Sequence, residues 1–482
     1  MEWVEDARRF ADAYHTEILY FFYGILALGL LQNLIYFVQI PLAAAALRRM
    51  RAQRLSGDDR RLLGSDEALP ISVIIPAYNE ELTICHTVTA TLATHYPSFD
   101  VVVVNDGSKD GTLAALIEKF KLKKTPRFYE NALPHKPIRD VYSSSSYPNV
   151  IVVDKENGGK ADAVNAGIDV SRRPIFCTLD ADSLLDPVAL LKTVRPFMDD
   201  PERIVASGGT VRLLNGCETQ HGVISRVALP RRLLPLLQIV EYVRAFLMGR
   251  LAWSRLGLLT LISGAFAVFR RDVAIEVGGF SVDTIGEDFE LVMKLHKHFL
   301  SKNIPYDMRF VPEPVCWTEA PESFRVLGSQ RKRWQQGALE VQWRHRDMFL
   351  NAKYGRIGCV AYPLMFIVDA LGPLAELLGY VSVPVFYAIG ALSRDFMIAY
   401  ICLFFMFGIF ISVMSLVLEE ISLKRFAHAK SLALLGAVAV VENFGYRQYT
   451  NLWRIAGWYR FLRKKQVWGK MTRVAGHVRT RP

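Results

Sequence analysis

The sequence predicts an α/β domain combined with α-helical membrane-spanning segments, and two patterns support this fold class. Between Leu69 and Pro201, short runs rich in β-branched residues alternate with helical segments, as in a parallel sheet covered by helices. Toward both ends, the chain of 482 residues carries apolar runs longer than the roughly 20 residues needed to cross a bilayer. The hydrophobic content of 51% argues against a purely soluble or disordered protein.

The net charge of +11 is concentrated at the C-terminus. The segment 454–482 contains nine Lys or Arg and no acidic residue, so the rest of the chain is close to neutral and no nucleic-acid partner is expected. The six cysteines are widely separated, which favours free thiols over a zinc site or a disulfide framework. His296, His298 and His345 are expected to be solvated helix residues rather than metal ligands.

The first apolar run, Ile18–Leu47, is uncharged and long enough to span a membrane in a tilted orientation. A cleavable signal peptide is the alternative, but acidic residues precede this run and it is longer than an h-region. Arginines follow directly at positions 48, 49, 51, 54, 60 and 61. By the positive-inside rule, they predict an external N-terminus and a cytosolic location for the region that follows.

Two later runs, Ile357–Leu392 and Phe396–Leu418, predict two further spans. A last run, Leu432–Val441, is short for a crossing. It either lies in the interface, which keeps the basic tail cytosolic, or it spans; we favour three full spans. Because Asp369 and Glu376 are costly in lipid, they are expected to face a polar cavity or a protein partner, unless they lie near a helix end.

Amphipathic stretches at about 233–259 and 321–350 are expected to form helices at the cytosolic membrane interface. For the first of them, an ordinary domain helix is the alternative. The predicted organisation is an external N-terminus with the first span (1–47), a cytosolic α/β domain (48–350), a membrane channel region (351–453) and a basic cytosolic tail (454–482).

Four polar clusters follow the candidate strands of the α/β domain. Since ligands bind beyond the carboxyl ends of parallel strands, the clusters are expected to converge on one site. The strands, each with the cluster that follows it, are Ile71–Ile75 with 76–80, Val101–Val104 with 105–108, Val150–Val153 with 154–160, and Ile175–Leu179 with 180–182.

Each cluster admits a structural and a functional interpretation. Asp180 and Asp182 can present two carboxylates to a hard cation, or cap the next helix. The Gly-Gly-Lys segment at 158–160 can bind an anion at a helix start, or form a turn with a solvated lysine. Asp106 can form an Asx turn, or accept hydrogen bonds from a base or ribose.

Six motifs follow one another along the chain: Pro-Ala-Tyr-Asn-Glu (76–80), Asn-Asp-Gly-Ser (105–108), Gly-Gly-Lys (158–160), Asp-Ala-Asp (180–182), Gly-Glu-Asp (286–288) and Gln-Arg-Lys-Arg-Trp (330–334). In this order they resemble those of the membrane-embedded, processive glycosyltransferases of family 2, such as cellulose, hyaluronan and poly-N-acetylglucosamine synthases. The resemblance covers roughly Leu69 to the C-terminus. It implies a GT-A (Rossmann-like) cytosolic glycosyltransferase domain with transmembrane and interfacial helices.

The resemblance also implies a role for individual residues. Asp180 and Asp182 match the aspartates that hold Mg²⁺ or Mn²⁺ and the UDP diphosphate, and Asp288 matches the general base. Gly286 departs from the threonine that the family often has. The nucleotide- and donor-binding residues are Ala77, Tyr78, Glu80, Asp106, Lys160, Asp180, Asp182, Gln330 and Arg333. The acceptor-binding residues are Trp334, which stacks on the sugar, with Ser263, Gly264 and Glu287.

The implied function is a processive inverting glycosyltransferase that polymerises a β-linked polysaccharide from a UDP-sugar and moves it across a bacterial inner membrane. UDP-N-acetylglucosamine is the first candidate donor, because residues 442–448 and 468–471 look most like the poly-N-acetylglucosamine branch. The implied partners are the growing glycan, membrane lipid and a small accessory membrane subunit. The alternatives are a non-processive transferase that adds one sugar to a lipid or short glycan, and an inactive membrane scaffold.

Overall fold

The computed structural model describes residues 6, 9, 13–54, 68–220, 222–423 and 429–463. Most of the predicted basic tail lies outside the described residues, as do Arg60, Arg61 and the 468–471 motif. Twelve strands occur in the described ranges: β1 (Ile71–Ala77), β2 (Phe99–Asp106), β3 (Lys123–Lys124), β4 (Ile138–Ser143), β5 (Val150–Lys155), β6 (Ile175–Leu179), β7 (Leu184–Leu185), β8 (Ile204–Leu213), β9 (Glu218–Gln220), β10 (Val223–Arg226), β11 (Phe266–Arg270) and β12 (Asp307–Thr318).

Long helices dominate the two ends of the chain, and shorter ones cover the sheet. The helices are α1 (His15–Arg54), α2 (Ile84–Leu92), α3 (Thr112–Phe120), α4 (Lys160–Val170), α5 (Ala189–Asp199), α6 (Leu233–Tyr242), α7 (Leu251–Arg255), α8 (Arg271–Glu276), α9 (Glu287–Ser301), α10 (Phe324–Arg344), α11 (Tyr362–Met365), α12 (Gly372–Ala388), α13 (Arg394–Ile401), α14 (Phe407–Leu423), α15 (Ala429–Val441) and α16 (Tyr446–Leu462). π-Helical segments connect several of them, at Val243–Arg250, Ile357–Ala361, Phe366–Leu371 and Cys402–Met406, and short 3₁₀ turns lie at Arg346–Met348 and Ala352–Tyr354.

The main sheet is built around four parallel strands in the order β5-β2-β1-β6. Each is a nearly continuous apolar run, as expected for strands covered on both faces; Val101 to Val104 in β2, for example, are all fully buried. These are the four strands predicted from the sequence, and the α/β prediction is confirmed. All four end at the same edge of the sheet, so their polar clusters meet there.

The rest of the sheet brings one further segment to this edge. The full order is β3-β4-β5-β2-β1-β6-β11-β8-β12-β7, with β11 antiparallel to both β6 and β8. Because β11 runs against β6, the residues before it lie beside the residues after β6, and the Asp180 N–H donates to the Ala265 carbonyl (3.3 Å). The 263–265 segment is thereby placed next to the aspartate pair.

Within the described ranges, three helical stretches are long and apolar enough to cross a membrane: His15–Met50, Ile357–Ala388 and Arg394–Ile421. They correspond to the three spans predicted from the sequence. The helix Ala429–Val441 is apolar but only 13 residues long. The segment from α6 to α7 packs against α1 and α14, which ties the predicted interfacial helix to the first and third spans.

The prediction that the three histidines are solvated is wrong for two of them. His296 is 2% exposed and is bonded through its ring nitrogens to the Tyr306 hydroxyl and the Leu259 carbonyl. Burial lowers the pKa of His296 to about 4. His345 is 5% exposed and lies 3.3 Å from Glu290. Both histidines face inward because α9 and α10 pack on each other and on the domain core.

Candidate active site

All of the predicted site residues line one cavity of about 2700 Å³. The cavity opens at the carboxyl edge of the parallel strands, where the four polar clusters converge as predicted. The predicted residues that share it are Ala77, Tyr78, Glu80, Asp106, Lys160, Asp180, Asp182, Ser263, Gly264, Glu287, Asp288, Gln330, Arg333 and Trp334. Their convergence is a structural result; the role of each one stays a prediction.

The first cluster forms the wall of the cavity next to β1. Ala77 ends the strand and is buried, whereas Tyr78 is 44% exposed. Asn79 has a left-handed backbone (φ 56°), and its side-chain oxygen accepts from the Lys109 N–H (2.8 Å). The Glu80 N–H donates to Thr112 (2.8 Å). These bonds tie the first cluster to the second, so both present their groups to the cavity as one surface.

Asp106, the last residue of β2, is buried, and four donors surround its carboxylate. Oδ1 accepts from Lys155 Nζ (2.8 Å) and the Gly158 N–H (2.9 Å). Oδ2 accepts from the Gly159 N–H (2.8 Å) and Asn157 Nδ2 (3.1 Å). Since a carboxylate offers about four acceptor positions, a base or ribose competes with these donors for Asp106. The structural effect of Asp106 is to hold the 157–159 turn, in which Gly159 has a φ of 92° that suits glycine.

Lys155, which the sequence analysis did not single out, holds this region together. Its side chain is fully buried at the end of β5 and forms ion pairs with Asp106 and Asp162. Asp162 in turn accepts from the Lys136 N–H (2.9 Å), which fixes the loop before β4. A lysine at the end of an otherwise apolar strand was the available signal, because a buried charge requires partners.

Lys160 begins α4 and links the Asp180 side of the cavity to the Glu287 side. Its Nζ lies 2.6 Å from Asp180 Oδ1 and 3.8 Å from Glu287 Oε1, and it donates to the Gly264 carbonyl (3.0 Å). Burial acts to lower the pKa of Lys160, but the negative charges of Asp180 and Glu287 outweigh it and raise the pKa above its ordinary value. Lys160 therefore stays protonated and is not a solvated turn lysine.

The residues of the Asp-Ala-Asp motif fit a divalent cation. Burial and the negative charge of the neighbouring Asp180 raise the pKa of Asp182 to about 7, so ionisation of Asp182 is disfavoured. A cation would relieve this repulsion, and Mg²⁺ commonly takes only one or two carboxylates together with substrate phosphates. In the described part of the chain, no group of three or more His, Cys, Asp or Glu could hold a metal ion. Asp180 and Asp182 would thus be the protein's contribution to the site.

Asp288 lies in the first turn of α9 and faces the backbone of Gly264. A Cβ at position 264 would lie 2.7 Å from Asp288 Oδ2, so glycine is needed for this approach. Asp288 Oδ1 accepts from the Phe289 N–H (2.9 Å), which helps to fix the orientation of the carboxylate at the start of the helix. Burial, together with the charge of Asp288, raises the pKa of Glu287 to about 7 although Lys160 opposes the shift.

Arg250 is a second cation near Asp288 that the sequence analysis did not assign to the site. It lines the cavity, and its guanidinium lies over the Phe246 ring (3.9 Å to the centroid). Burial lowers the pKa of Arg250 to about 10, and the negative charge of Asp288 limits the shift. Its Nη1 has no hydrogen-bond partner among the residues that the structure describes.

Helix α10 presents the Gln-x-x-Arg-Trp motif to the cavity. Trp334 is 45% exposed, as required for an indole that stacks on a ligand. Arg331, inside the motif, is 3% exposed and pairs with Glu241 (2.7 Å), while its guanidinium covers the Trp334 ring (4.3 Å to the centroid). Arg331 thus holds one face of the indole. Its role was not visible in the sequence because Glu241 is 90 residues away.

The same cavity extends between the membrane helices. It is lined there by Gln32, Tyr36 and Gln39 of α1, all on one face of the first span, and by Glu376 and Arg447. The carboxylate of Glu376, 4% exposed, receives two hydrogen bonds from Arg447 (2.7 and 3.1 Å). The expectation that acidic residues of the second span face a polar cavity is confirmed, since Asp369 lines it as well. The polar face formed by Gln32, Tyr36 and Gln39 follows helical spacing in the sequence, but it was not among the predicted features of the first span.

Comparison with known proteins supports the family resemblance. Residues 72–278 match the family model described as "Glycosyl transferase family 2". The chain is 31% identical over 319 residues to the poly-beta-1,6-N-acetyl-D-glucosamine synthase of Staphylococcus aureus (strain COL), a match that covers 66% of this chain and 65% of that protein. The enzyme of the same name from Staphylococcus epidermidis is 29% identical over 297 residues, covering 61% of this chain and 60% of that protein.

The solved structures that align with this chain have lower sequence identity to it. A Pyrobaculum calidifontis mannosyltransferase in complex with GDP-Man and Mn²⁺ aligns with a TM-score of 0.46 at 18% identity, covering 90% of this chain and all of that chain. Residues 1–349 of S. aureus TarS in complex with UDP-GlcNAc align with a TM-score of 0.40 at 16% identity, covering 79% of this chain and 92% of that chain. At these TM-scores the likeness does not assign a reaction.

Proposed function

We propose that this protein is a processive, inverting glycosyltransferase that polymerises a β-linked polysaccharide from UDP-N-acetylglucosamine. The match of residues 72–278 to the glycosyl transferase family 2 model supports this proposal. The observation that carries the proposal is the continuous cavity. It joins the aspartates after β6, the Asp288 carboxylate and the exposed Trp334 indole to polar residues between the membrane helices. The resemblance to poly-beta-1,6-N-acetyl-D-glucosamine synthases supports the choice of donor.

The proposed reaction is a single displacement at the anomeric carbon of the donor. Asp288 takes the proton from an acceptor hydroxyl as that oxygen bonds to the anomeric carbon, and the bond from this carbon to the diphosphate oxygen breaks with its electron pair leaving on UDP. Asp288 lines the cavity, where an acceptor hydroxyl can reach its carboxylate. With one base and no covalent intermediate on the protein, an α-linked donor yields a β-linked product.

Charge on the departing UDP is balanced on the donor side of the cavity. A divalent cation held by Asp180 and Asp182 would neutralise the diphosphate when bound. Lys160, kept protonated by Asp180 and Glu287, supplies a fixed positive charge there. Arg333 lines the same cavity and would bind the diphosphate from α10. Fixed charges placed in advance stabilise the transition state without reorganisation.

The proposal also includes processive synthesis and translocation of the polymer through the membrane part of the cavity. The exposed indole of Trp334 offers a flat apolar surface to a sugar ring, which binds without fixing one register and allows the chain to slide. Beyond it, the cavity charges are paired within the protein, as in the Arg447–Glu376 pair, so a neutral polymer suits the path. We further propose a multi-pass bacterial inner-membrane protein with its catalytic domain in the cytosol, in contact with lipid and a small accessory subunit.

The second candidate is a non-processive transferase that adds one sugar to a lipid or short glycan. The same aspartates and base serve both reactions. The extension of the cavity between the spans favours the polymerase, since a single transfer has no need of that path.

The first test is UDP release by the purified protein in detergent or nanodiscs with Mg²⁺ or Mn²⁺. UDP-N-acetylglucosamine, UDP-glucose and UDP-glucuronate are compared, with Asp182→Asn as the inactive variant and Asp199→Asn, on the exposed end of α5, as the matched control. Turnover with UDP-N-acetylglucosamine that only Asp182→Asn abolishes supports the proposal. Turnover with another donor alone would change the substrate, and no turnover with any donor would favour an inactive scaffold.

A further inference from the structure

The C-terminal helix α16 packs tightly along α10, the helix that carries the Gln-x-x-Arg-Trp motif. Two glycines permit the close approach. A Cβ at Gly328 of α10 would lie 2.8 Å from the Trp453 indole, and a Cβ at Gly457 of α16 would lie 2.8 Å from the Lys332 carbonyl. Residue 454, where the sequence predicts the start of the basic tail, therefore lies inside a helix that contacts the candidate active site.

Arg454 lies at the centre of this contact and bonds to both neighbouring elements. Its Nε donates to Gln335 Oε1 (2.7 Å), and its Nη2 donates to the carbonyl of Asp369 in the second span (2.7 Å). Gln335 is 4% exposed, and its own Nε2 donates to the same Asp369 carbonyl (2.8 Å), so the three residues are bonded to one another. The two helices and the second span are thus joined at one point.

The sequence explains why the Asp369 carbonyl is open to these donors. In an α-helix, a carbonyl accepts from the N–H four residues later. That residue is Pro373, which has no N–H, so the usual partner of the Asp369 carbonyl is missing. Here the backbone is π-helical over Phe366–Leu371, and side chains from α10 and α16 satisfy the carbonyl instead. The next carbonyl, of Ala370, accepts from Trp458 Nε1 (3.0 Å).

We propose that Arg454 is a positioning residue for the acceptor: it fixes Gln335, and through it the adjacent Trp334, against the second span. The inference rests on the proposed function, in which Trp334 stacks on the acceptor sugar. Trp334 and Asp369 line the same cavity. The bonds among Arg454, Gln335 and the Asp369 carbonyl therefore set the position of the indole relative to the part of the cavity between the spans. Among the described residues, Arg454 bonds only to Gln335 and Asp369, and no hydrogen bond or ion pair joins it to Asp180 or Asp288. Its loss should therefore weaken acceptor binding and shorten the product while leaving donor binding intact.

The test compares Arg454→Met with the matched control Arg460→Met, which changes an arginine six positions later on the same helix. UDP release is measured against the concentration of an N-acetylglucosamine oligomer and, separately, of UDP-N-acetylglucosamine. For Arg454→Met we expect an acceptor KM about tenfold higher, a KM for UDP-N-acetylglucosamine within twofold of wild type, and shorter products. Arg454→Lys should recover part of the loss, because its ammonium keeps one hydrogen-bonding nitrogen where arginine uses two. Equal kinetics for Arg454→Met and Arg460→Met, or a parallel rise of both KM values, would overturn the proposal.

A binding measurement separates this proposal from the proposed reaction. Oligomer binding is followed by the quenching of Trp334 fluorescence, which is obtained by subtracting the signal of a Trp334→Phe protein. Wild type is compared with Arg454→Lys, a variant that can be used even if Arg454→Met does not fold. Wild-type protein that binds the oligomer but releases no UDP counts against the reaction alone, and weaker binding by Arg454→Lys still supports the positioning role. Unchanged binding in Arg454→Lys and Arg454→Met, or no oligomer binding to Trp334 in wild type, contradicts it.

Discussion

Gly286 and Gly337 are in direct backbone contact: a Cβ on Gly337 would lie 3.0 Å from the Gly286 nitrogen, and one on Gly286 would lie 3.1 Å from the Gly337 carbonyl carbon. Gly286 immediately precedes α9, which begins with Glu287 and Asp288, and Gly337 lies one turn after Trp334 on α10. The contact sets the separation between Asp288, the candidate base, and the Trp334 indole. It also accounts for glycine at 286, since a side chain there would meet the backbone of α10.

Gly337→Ala should therefore push α10 away from the start of α9. Overpacking of this kind typically costs about 1–3 kcal/mol, so we expect a lower thermal unfolding midpoint and reduced UDP release. Gly436→Ala is the control, because a Cβ at that helical position meets nothing within 4 Å. The measurement is thermal unfolding of both variants in the same detergent. A Gly337→Ala protein as stable and as active as Gly436→Ala would refute the importance of the contact.

Asp288→Asn should abolish most of the turnover without unfolding the protein. Removing a general base typically lowers the rate by about 10²- to 10⁴-fold. The amide keeps the shape beside Gly264, so donor binding should persist. Initial UDP release is compared with that of Asp283→Asn, a nearby exposed aspartate that pairs with Arg344. If Asp288→Asn retained more than a tenth of wild-type activity, another residue would have to be the base.

The raised pKa of Glu287 predicts a pH dependence of stability in the protein free of metal and donor. Its pKa is about 7 in the fold, against an ordinary value near 4.5, so the folded protein binds this proton more tightly than the unfolded chain. Stability from this group is therefore greatest below about pH 4.5 and declines as the pH rises to about 7. Glu287→Gln should lack this part of the decline. Between pH 5 and pH 8 the Tm of the wild-type protein should therefore fall by a few degrees more than the Tm of Glu287→Gln. Parallel Tm profiles for the two proteins would show that Glu287 is ionised normally.

The Arg447–Glu376 pair predicts a non-additive response to mutation. Arg447→Met leaves the buried Glu376 carboxylate without its cation, a change that typically costs about 3–5 kcal/mol. The double variant Arg447→Met/Glu376→Gln removes the charge as well, and Asn451 can still bond to the amide oxygen. We expect the double variant to unfold at a higher temperature than the single one. Equal unfolding temperatures would mean that water reaches Glu376 and solvates it.

The sequence predicted the parts of this protein that depend on local patterns. The four parallel strands are apolar runs that end in polar clusters, and their convergence follows from the geometry of any parallel sheet. The three spans follow from the length of the apolar runs. The motif residues could be placed in one cavity because each follows a recognisable strand or begins a helix.

Contacts between distant segments were not predictable in the same way. The fully buried Lys155 pairs with two carboxylates; its place at the end of an apolar strand indicates that it needs partners, but not which residues these are. His296 was expected in solvent because its neighbours are polar, but its own face of α9 packs inward. Arg454 was counted with the basic tail, whereas it bonds to Gln335 and the second span. Each of these residues has a partner far along the chain, 49 residues away for Lys155, 37 for His296 and 119 for Arg454, so local charge and hydropathy do not identify that partner.

The most direct test of the account is the size distribution of the product at very low turnover. Wild-type protein in nanodiscs is given labelled UDP-N-acetylglucosamine, Mg²⁺ and an excess of an N-acetylglucosamine oligomer, and the reaction is stopped when only a small fraction of the acceptor has been used. Long chains alongside unreacted acceptor are the predicted result, because an enzyme that holds its product between Trp334 and the membrane cavity extends one chain many times. A product that consists only of acceptors longer by one sugar would contradict it.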